Sequence, residues 1–183
     1  MSAGLTLLLG GVRSGKSAKA LRLARQHQGE GRVLFVATGE PRDDEMRRRI
    51  DTHRAERPAT WDTLESPRTL ADDLERALVA HREPYAVVVI DCLTLWVSNV
   101  LCDLTDDDDA EAAMSDRAED LLGLRATGGP RWIIVSNEVG LGIVPPTPLG
   151  RRYRDALGRV NQLVAAAADE VVLMVAGIEM RLK

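Results

Sequence analysis

Short apolar runs alternate along the chain with longer segments that mix apolar and charged residues. The apolar runs cover 5–10, 32–38, 85–91, 131–137 and 170–177. They predict strands of a parallel sheet, because uninterrupted apolar runs are typical of strands covered on both faces. The mixed segments predict helices over 16–28, 42–57, 66–83, 93–101 and 111–124, and a last helix after the Gly/Pro-rich loop of 138–148.

This alternation predicts an α/β fold, with a mostly parallel sheet flanked by helices. For the helix of 66–83, Ser66 is the predicted N-cap and Pro67 the first helical residue. No repeat or linker divides the chain, and 183 residues suffice for one core, so we expect a single domain over 1–183.

Composition narrows the classes of function. The net charge is -4 and no long basic stretch is present, which disfavours a nucleic-acid partner. Two cysteines without metal-ligand spacing favour a reducing, cytoplasmic location. We expect no signal peptide, since the first residues lack a basic region and a long apolar run, and no membrane span, since no run reaches about 18 apolar residues. The acidic run of 106–109 is predicted to be a solvated loop.

The segment Gly10–Ser17, GGVRSGKS, fits the phosphate-binding pattern G-x-x-x-x-G-K-[ST]. A predicted strand precedes it and a predicted helix follows it, as this loop requires. Gly10 and Gly15 allow the tight turn that aims backbone N–H groups at phosphate oxygens. Lys16 would reach the β- and γ-phosphates, and the Ser17 hydroxyl would bind Mg²⁺. The sequence therefore predicts a P-loop nucleotide-binding, RecA-like architecture.

A second ligand for the metal is expected at the end of a neighbouring strand. Asp91 ends the apolar run of 85–91 and is the natural candidate. An N-cap for the helix of 93–101 is the alternative, and one carboxylate can serve both purposes.

His53 has two interpretations. It shares a helix face with Met46 and Ile50, which is typical of a core or partner-contacting histidine. Imidazole, with an ordinary pKa of about 6.5, is also a competent nucleophile towards phosphorus at neutral pH. His27 and His81 lie at helix ends, and we assign them no chemical role.

The segment SNEVGLG follows the strand of 131–137 and is placed to line a substrate site, because open α/β sheets bind ligands beyond the carboxyl ends of their strands. Glu138 within it could meet a hydroxyl or a metal, or could be structural.

In their order, several segments resemble the bifunctional adenosylcobinamide kinase/adenosylcobinamide-phosphate guanylyltransferase family of cobalamin biosynthesis. They are GGVRSGKS, VATG followed by DDEM, RIDTHRAERPATWDTLE, IDCLTLWVSNVL, SNEVGLGIVP and RRYRDALGRVNQLVAAAADEV. The resemblance runs nearly end to end. It implies that ATP or GTP phosphorylates adenosylcobinamide and that GTP then donates GMP to the resulting phosphate.

The resemblance also implies roles for residues. His53 falls where the family carries its guanylylated histidine, and Lys16 belongs to the shared catalytic cradle. Ser17 and Asp91 would hold Mg²⁺; Asp91 replaces a Glu of some members, and Thr52 replaces a second histidine. The implied nucleotide contacts are Gly10, Gly11, Val12, Arg13, Ser14, Gly15, Lys16, Ser17, Ala37, Thr38, Gly39, Arg54, Ala55, Glu56, Arg57, Glu65 and Asp91.

The family further implies a trimer with sites near the subunit boundaries. Two other functions remain open from the residues themselves: a plain P-loop small-molecule kinase with a structural His53, and a nucleotide-driven switch protein. The sequence also leaves open which nucleotide the kinase step prefers, which residues bind the corrinoid, and which group activates the substrate hydroxyl.

Overall fold

A computed structural model describes residues 4–80, 83–105, 108–125 and 129–183. Its strands are β1 (Leu5–Gly10), β2 (Arg32–Ala37), β3 (Asp62–Glu65), β4 (Tyr85–Asp91), β5 (Arg131–Val135), β6 (Glu170–Val175) and β7 (Ile178–Arg181). Its helices are α1 (Lys16–Gln28), α2 (Asp44–Ala55), α3 (Leu70–Ala80), α4 (Leu93–Leu101), α5 (Ala110–Gly123) and α6 (Pro148–Ala167).

The strands form one sheet in the order β3-β2-β4-β5-β1-β6-β7. Every pairing is parallel except that of β6 with β7. The five predicted strands and the mostly parallel sheet are confirmed. Strands β3 and β7 were not predicted, because each has only four residues, half-buried and exposed in alternation in β3 and all exposed in β7, so neither forms an apolar run.

Helices cover both faces of the sheet. On one face α1 packs its Ala20 and Ala24 against Leu8 and Val89 in one buried cluster. On the other face α3, α4, α5 and α6 pack around Trp96, Trp132 and Leu157 in a second, larger cluster. Burial of these side chains on both faces explains why the central strands are uninterrupted apolar runs. No helix within the described ranges is long and apolar enough to span a bilayer.

The predicted start of α3 is wrong. The helix begins at Leu70 rather than after Ser66, so Pro67 is not its first helical residue. Ser66 is fully buried, its N–H donates to the carbonyl of Ala37, and its hydroxyl donates to the carboxylate of Asp73 inside the helix. The serine therefore extends the pairing of β2 with β3 and contacts α3 from outside.

The acidic run is only partly described, since 106 and 107 lie outside the described residues. Asp109 caps α5 by accepting hydrogen bonds from the N–H groups of Glu111 and Ala112. Asp108 accepts hydrogen bonds from the N–H and hydroxyl of Thr105. Both carboxylates are exposed, as predicted for a solvated loop. In addition, Asp109 caps a helix and Asp108 stabilises a turn through hydrogen bonds to the backbone.

The strand register gathers the ends of four strands at one edge of the sheet. Ala37 pairs with Glu65 on one side and with Asp91 on the other, and Asp91 pairs with Val135. Because these strands are parallel, the loops that follow them leave the sheet at the same edge as the Gly-rich loop that follows β1. This edge carries the candidate site.

Candidate active site

The Gly-rich loop between β1 and α1 has backbone angles that few residues adopt. Gly10 has φ 147°, Arg13 φ 56° and Gly15 φ 97°. A Cβ atom on Gly10 would lie 2.4 Å from the carbonyl oxygen of Met174, so the loop passes very close to β6. Gly177 donates its N–H to the carbonyl of Ser14 at 3.0 Å and ties the loop to the β6–β7 turn. The loop is thus held in shape by its neighbours.

Lys16 begins α1 and is buried, with 7% of its surface exposed. Its Nζ donates to the carbonyl of Gly11 at 2.5 Å and to the Ser14 hydroxyl at 3.4 Å. Burial lowers the pKa of Lys16, whereas the nearby Cys92 and Asp91 raise it. The ammonium group is therefore folded back over the loop, where a phosphate-loop lysine meets the β- and γ-phosphates.

Asp91 ends β4 and faces the start of α1. The Ser17 hydroxyl donates a hydrogen bond to its carboxylate. Burial raises the pKa of Asp91, and Ser17 and the charges of His53, Arg57 and Lys16 act in the opposite direction. All four side chains therefore lie close enough to influence one carboxylate.

The donor set fits Mg²⁺. Ser17 and Asp91 supply hard oxygen ligands next to each other, and Mg²⁺ commonly takes only one or two protein oxygens beside water and substrate phosphates. Within the described residues no group of three His, Cys, Asp or Glu side chains forms a protein-only metal site.

His53 lies in the last turn of α2. Met46, Ile50 and His53 are the half-buried residues of one face, as the spacing predicted, but α2 has no fully buried residue. The His53 side chain is 43% exposed, and its Nδ1 lies 3.4 Å from the Glu56 carboxylate. Ile50 lies against Gly39, where an added Cβ would be 3.4 Å from Ile50. The core interpretation therefore does not fit His53, whose side chain is half-exposed and whose charge acts to lower the pKa of Asp91.

The segment after His53 follows the same edge. Arg54 forms an ion pair with Glu65, at the end of β3. Arg57 places its guanidinium 3.9 Å above the ring of Phe35, and its Nε is buried with no hydrogen-bond partner within the described residues. Burial lowers the pKa of Arg57, while Asp91 raises it. Ala55 is exposed on the surface of α2.

Thr38 follows β2 and is fully buried. Its hydroxyl donates to the carbonyl of Cys92 at 2.7 Å and accepts the N–H of Cys92 at 2.9 Å. Asn99 of α4 donates to the Thr38 carbonyl at 2.8 Å. Thr38 is a predicted nucleotide contact, but its hydroxyl hydrogen-bonds to the backbone of Cys92, the residue after Asp91. The sequence could not show this, because the two residues are 54 positions apart.

Glu138 belongs to the loop after β5, and its N–H donates to the carbonyl of Gly10 at 3.3 Å. From the sequence, Glu138 could be structural or could meet a hydroxyl or a metal, and the fold brings its backbone directly to the phosphate loop. His27 is exposed in the last turn of α1, at the end of the helix opposite the phosphate loop, and His81 lies outside the described residues.

Fold and site together define a class: an α/β nucleotide-binding protein with a phosphate loop after one strand and an acidic residue at the end of another. Solved structures support the fold. One of them, an ATPase domain, has a TM-score of 0.55 at 15% identity, over 93% of this chain and 69% of that one. The flagellar accessory protein FlaH from Methanocaldococcus jannaschii has a TM-score of 0.52 at 14% identity, over 100% of this chain and 79% of that one.

Within that class the chain belongs to the CobU family, described as cobinamide kinase / cobinamide phosphate guanyltransferase, whose model matches residues 6–182. The bifunctional adenosylcobalamin biosynthesis protein CobP of Pseudomonas aeruginosa is 45% identical over 97% of this chain and 96% of its own length. The bifunctional adenosylcobalamin biosynthesis protein CobU of Escherichia coli is 40% identical over 98% of this chain and 99% of its own length. The resemblance found in the sequence is confirmed.

Proposed function

We propose that the protein phosphorylates adenosylcobinamide with ATP or GTP and then transfers GMP from GTP to the adenosylcobinamide phosphate. The transfer passes through a guanylyl group on His53 and releases pyrophosphate and adenosyl-GDP-cobinamide. One domain carries both reactions. The observation that carries this proposal is the set of side chains around Asp91: the phosphate-loop residues Lys16 and Ser17 and the open histidine all act on one carboxylate.

In the first reaction the loop holds the triphosphate. Its backbone N–H groups and the start of α1 favour negative charge, and Lys16 neutralises charge on the β- and γ-phosphates. Ser17 and Asp91 are the proposed Mg²⁺ ligands, and the ion supplies further neutralisation of the phosphate oxygens when bound. The acceptor hydroxyl attacks the γ-phosphorus and the nucleoside diphosphate leaves.

In the second reaction an imidazole nitrogen of His53 attacks the α-phosphorus, and the bond to the β-phosphate oxygen breaks. A phosphate oxygen of the corrinoid substrate then displaces the histidine. Glu56 supports this role, because its carboxylate 3.4 Å from Nδ1 favours the tautomer that carries its proton on Nδ1 and leaves Nε2 as the nucleophile. A phosphorus–nitrogen bond retains the transfer potential that a phosphate ester would lose.

The test is covalent labelling. With Mg²⁺ and GTP labelled at the α-phosphate, we expect label on the protein that acid removes and base does not, and no label from γ-labelled GTP. His53→Ala should abolish this label and retain phosphorylation of cobinamide. Lys16→Ala should impair both reactions, because both use one triphosphate cradle.

His27→Ala is the matched control, since His27 is exposed at the far end of α1. It should label like the unchanged protein. Label that persists in His53→Ala would show that another residue carries the GMP, and a complete lack of label in the unchanged protein would refute the histidine intermediate.

A homo-oligomer, by family resemblance a trimer, is part of the proposal. Its support is a set of exposed apolar residues on the outermost strand β7 and the loop after β5, where single copies of a protein rarely expose so much apolar surface. They are Ile143 at 97%, Val144 at 61%, Ile178 at 69% and Met180 at 51% exposure. Light scattering should show trimers for the unchanged protein and for Val79→Lys on α3, and smaller species for Ile178→Lys. Equal masses for all three would contradict this assignment.

A cytoplasmic location completes the proposal. Its support is that both cysteines, Cys92 and Cys102, are free thiols, as a reducing compartment favours.

A further inference from the structure

A cavity of about 420 Å³ lies beside the phosphate loop, on the side that faces β6. The phosphate loop, β6 with the turn after it, and the segment after β5 all contribute residues to its lining. Its apolar lining includes Val12 and Leu141, which are 68% and 85% exposed, and Val175 at 50%. Leu141 and Val175 are not among the nucleotide contacts named above.

The cavity adjoins the place where the terminal phosphate is expected. Lys16 Nζ lies 2.5 Å from the carbonyl of Gly11, and a phosphate-loop lysine meets the β- and γ-phosphates. The γ-phosphate end of a bound triphosphate is therefore expected near Gly11. Gly11 is itself part of the cavity lining, so the cavity opens next to the phosphorus that the kinase reaction transfers.

Glu138 is the only acidic side chain among the described residues that line the cavity. Its N–H donates to the carbonyl of Gly10, which holds it against the phosphate loop. One carboxylate oxygen, Oε1, accepts the N–H of Gly140 at 2.7 Å. No described residue hydrogen-bonds to its other oxygen, which leaves that oxygen available to a ligand.

Buried side chains fix the backbone that carries Glu138. The Thr94 hydroxyl accepts the N–H of Asn137 at 2.8 Å, and Asn161 donates to the Asn137 carbonyl at 3.0 Å. Asn161 in turn accepts the Ser136 hydroxyl at 2.6 Å. Thr94, Ser136 and Asn161 are all buried, so two helices hold the residue before Glu138 from both sides.

We propose that this cavity binds the hydroxyl-bearing arm of the acceptor and that Glu138 accepts the proton of that hydroxyl in the kinase reaction. The ligand class is an alcohol at the end of an aliphatic arm; this deepens the proposed function and rests on it. The hydroxyl oxygen bonds to the γ-phosphorus, the bond from that phosphorus to the bridging oxygen breaks, the nucleoside diphosphate leaves, and the proton passes to Glu138.

The size and lining of the cavity match this ligand class. A volume of about 420 Å³ is at the lower end of the roughly 300–1,000 Å³ range of small-molecule sites, so it suits an arm and leaves a corrin ring outside. Apolar walls favour aliphatic carbons, and a single carboxylate at the phosphate loop orients one hydroxyl.

The first test is Glu138→Gln, which keeps the shape of the side chain and removes the base. We expect the kcat for cobinamide phosphorylation to fall on the order of 10²–10⁴-fold. Covalent labelling by α-labelled GTP, and GMP transfer to supplied cobinamide phosphate, should stay within about twofold, since neither needs this proton transfer. A kcat within about threefold of the unchanged protein, or an equal loss of all three activities, would overturn the assignment.

The second test is Leu141→Ser, with Val79→Ser as the control because Val79 is similarly exposed on α3. Leu141→Ser should raise the KM for cobinamide about tenfold and leave labelling unchanged, since an apolar contact to the arm is lost. An unchanged KM would overturn the cavity as the acceptor site.

The results that would refute the proposed function differ from those that would refute the role of Glu138. An unchanged protein that phosphorylates cobinamide without taking the GMP label would refute only the histidine intermediate, whereas one that does not phosphorylate cobinamide would overturn both proposals.

Discussion

The hydroxyl of Thr38 allows a sharp test of how Asp91 is held in place. Thr38→Val keeps the branched shape of the side chain and removes the two hydrogen bonds to the Cys92 backbone. The Cys92 N–H would be left without a partner, which costs about 1–3 kcal/mol when buried, and the Cys92 carbonyl, which still accepts the N–H of Trp96 at 3.3 Å, would lose one hydrogen bond worth about 1 kcal/mol. We therefore expect Thr38→Val to lower the free energy of unfolding by about 2–4 kcal/mol.

Thr38→Ser is the matched control, because it keeps the hydroxyl and removes one methyl group. Its expected cost is about 1 kcal/mol, the transfer free energy of a buried methyl with a small cavity. Urea denaturation followed by circular dichroism should show a lower midpoint for the valine variant than for the serine variant, with similar slopes.

The same pair of variants tests the link to catalysis. Cys92 follows Asp91 directly, so the valine variant should need more Mg²⁺ for half-maximal labelling by α-labelled GTP, and the serine variant should not. Equal unfolding midpoints for the two variants would refute the energetic argument. An unchanged Mg²⁺ requirement in a folded Thr38→Val protein would refute the positioning role.

Three further outcomes follow from the geometry. Because burial raises the pKa of Asp91 above its ordinary 3.8, the ionised carboxylate destabilises the fold as pH rises. Without Mg²⁺, Asp91→Asn should therefore be more stable than the unchanged protein at pH 7. Thermal melts should show this difference in stability vanish towards pH 3. Gly10→Ala should lower the free energy of unfolding by at least about 3 kcal/mol, because the new Cβ would lie 2.4 Å from the Met174 carbonyl oxygen and the backbone has φ 147°. Gly11→Ala should cost less than about 1 kcal/mol, because a Cβ there would have no atom within 4 Å. At pH 8 a thiol reagent should modify the exposed Cys102 rapidly and Cys92 slowly, because burial raises the pKa of Cys92 to about 11. In Cys102→Ser only Cys92 remains, so rapid modification of that variant would contradict this expectation.

The central strands could be predicted from the sequence because they are buried on both faces, which requires uninterrupted apolar runs. The same reasoning misses β3 and β7, since four exposed or alternating residues carry no such signal. The predicted start of α3 was wrong because the Ser66 hydroxyl donates to Asp73, seven residues further on, and no capping pattern includes a partner at that distance.

For the candidate site, local patterns located the phosphate loop and Asp91. They could not show that the charge of His53 reaches Asp91, because this depends on how α2 follows β2 and on the register of β2 with β4. Spacing alone therefore left His53 between a packing and a chemical role, and the family resemblance favoured the second. The hydrogen bonds of Thr38 and the cavity at Glu138 likewise join segments far apart in the chain.

The most direct measurement of the central claim is a chase of the isolated covalent protein. Protein labelled from α-labelled GTP is freed of nucleotide and mixed with adenosylcobinamide phosphate and Mg²⁺ alone. We expect the label to leave His53 in a single turnover, at least as fast as kcat, and to appear in adenosyl-GDP-cobinamide. Label that stays on the protein, or leaves more slowly than the steady-state reaction, would show that the histidine is not on the reaction path.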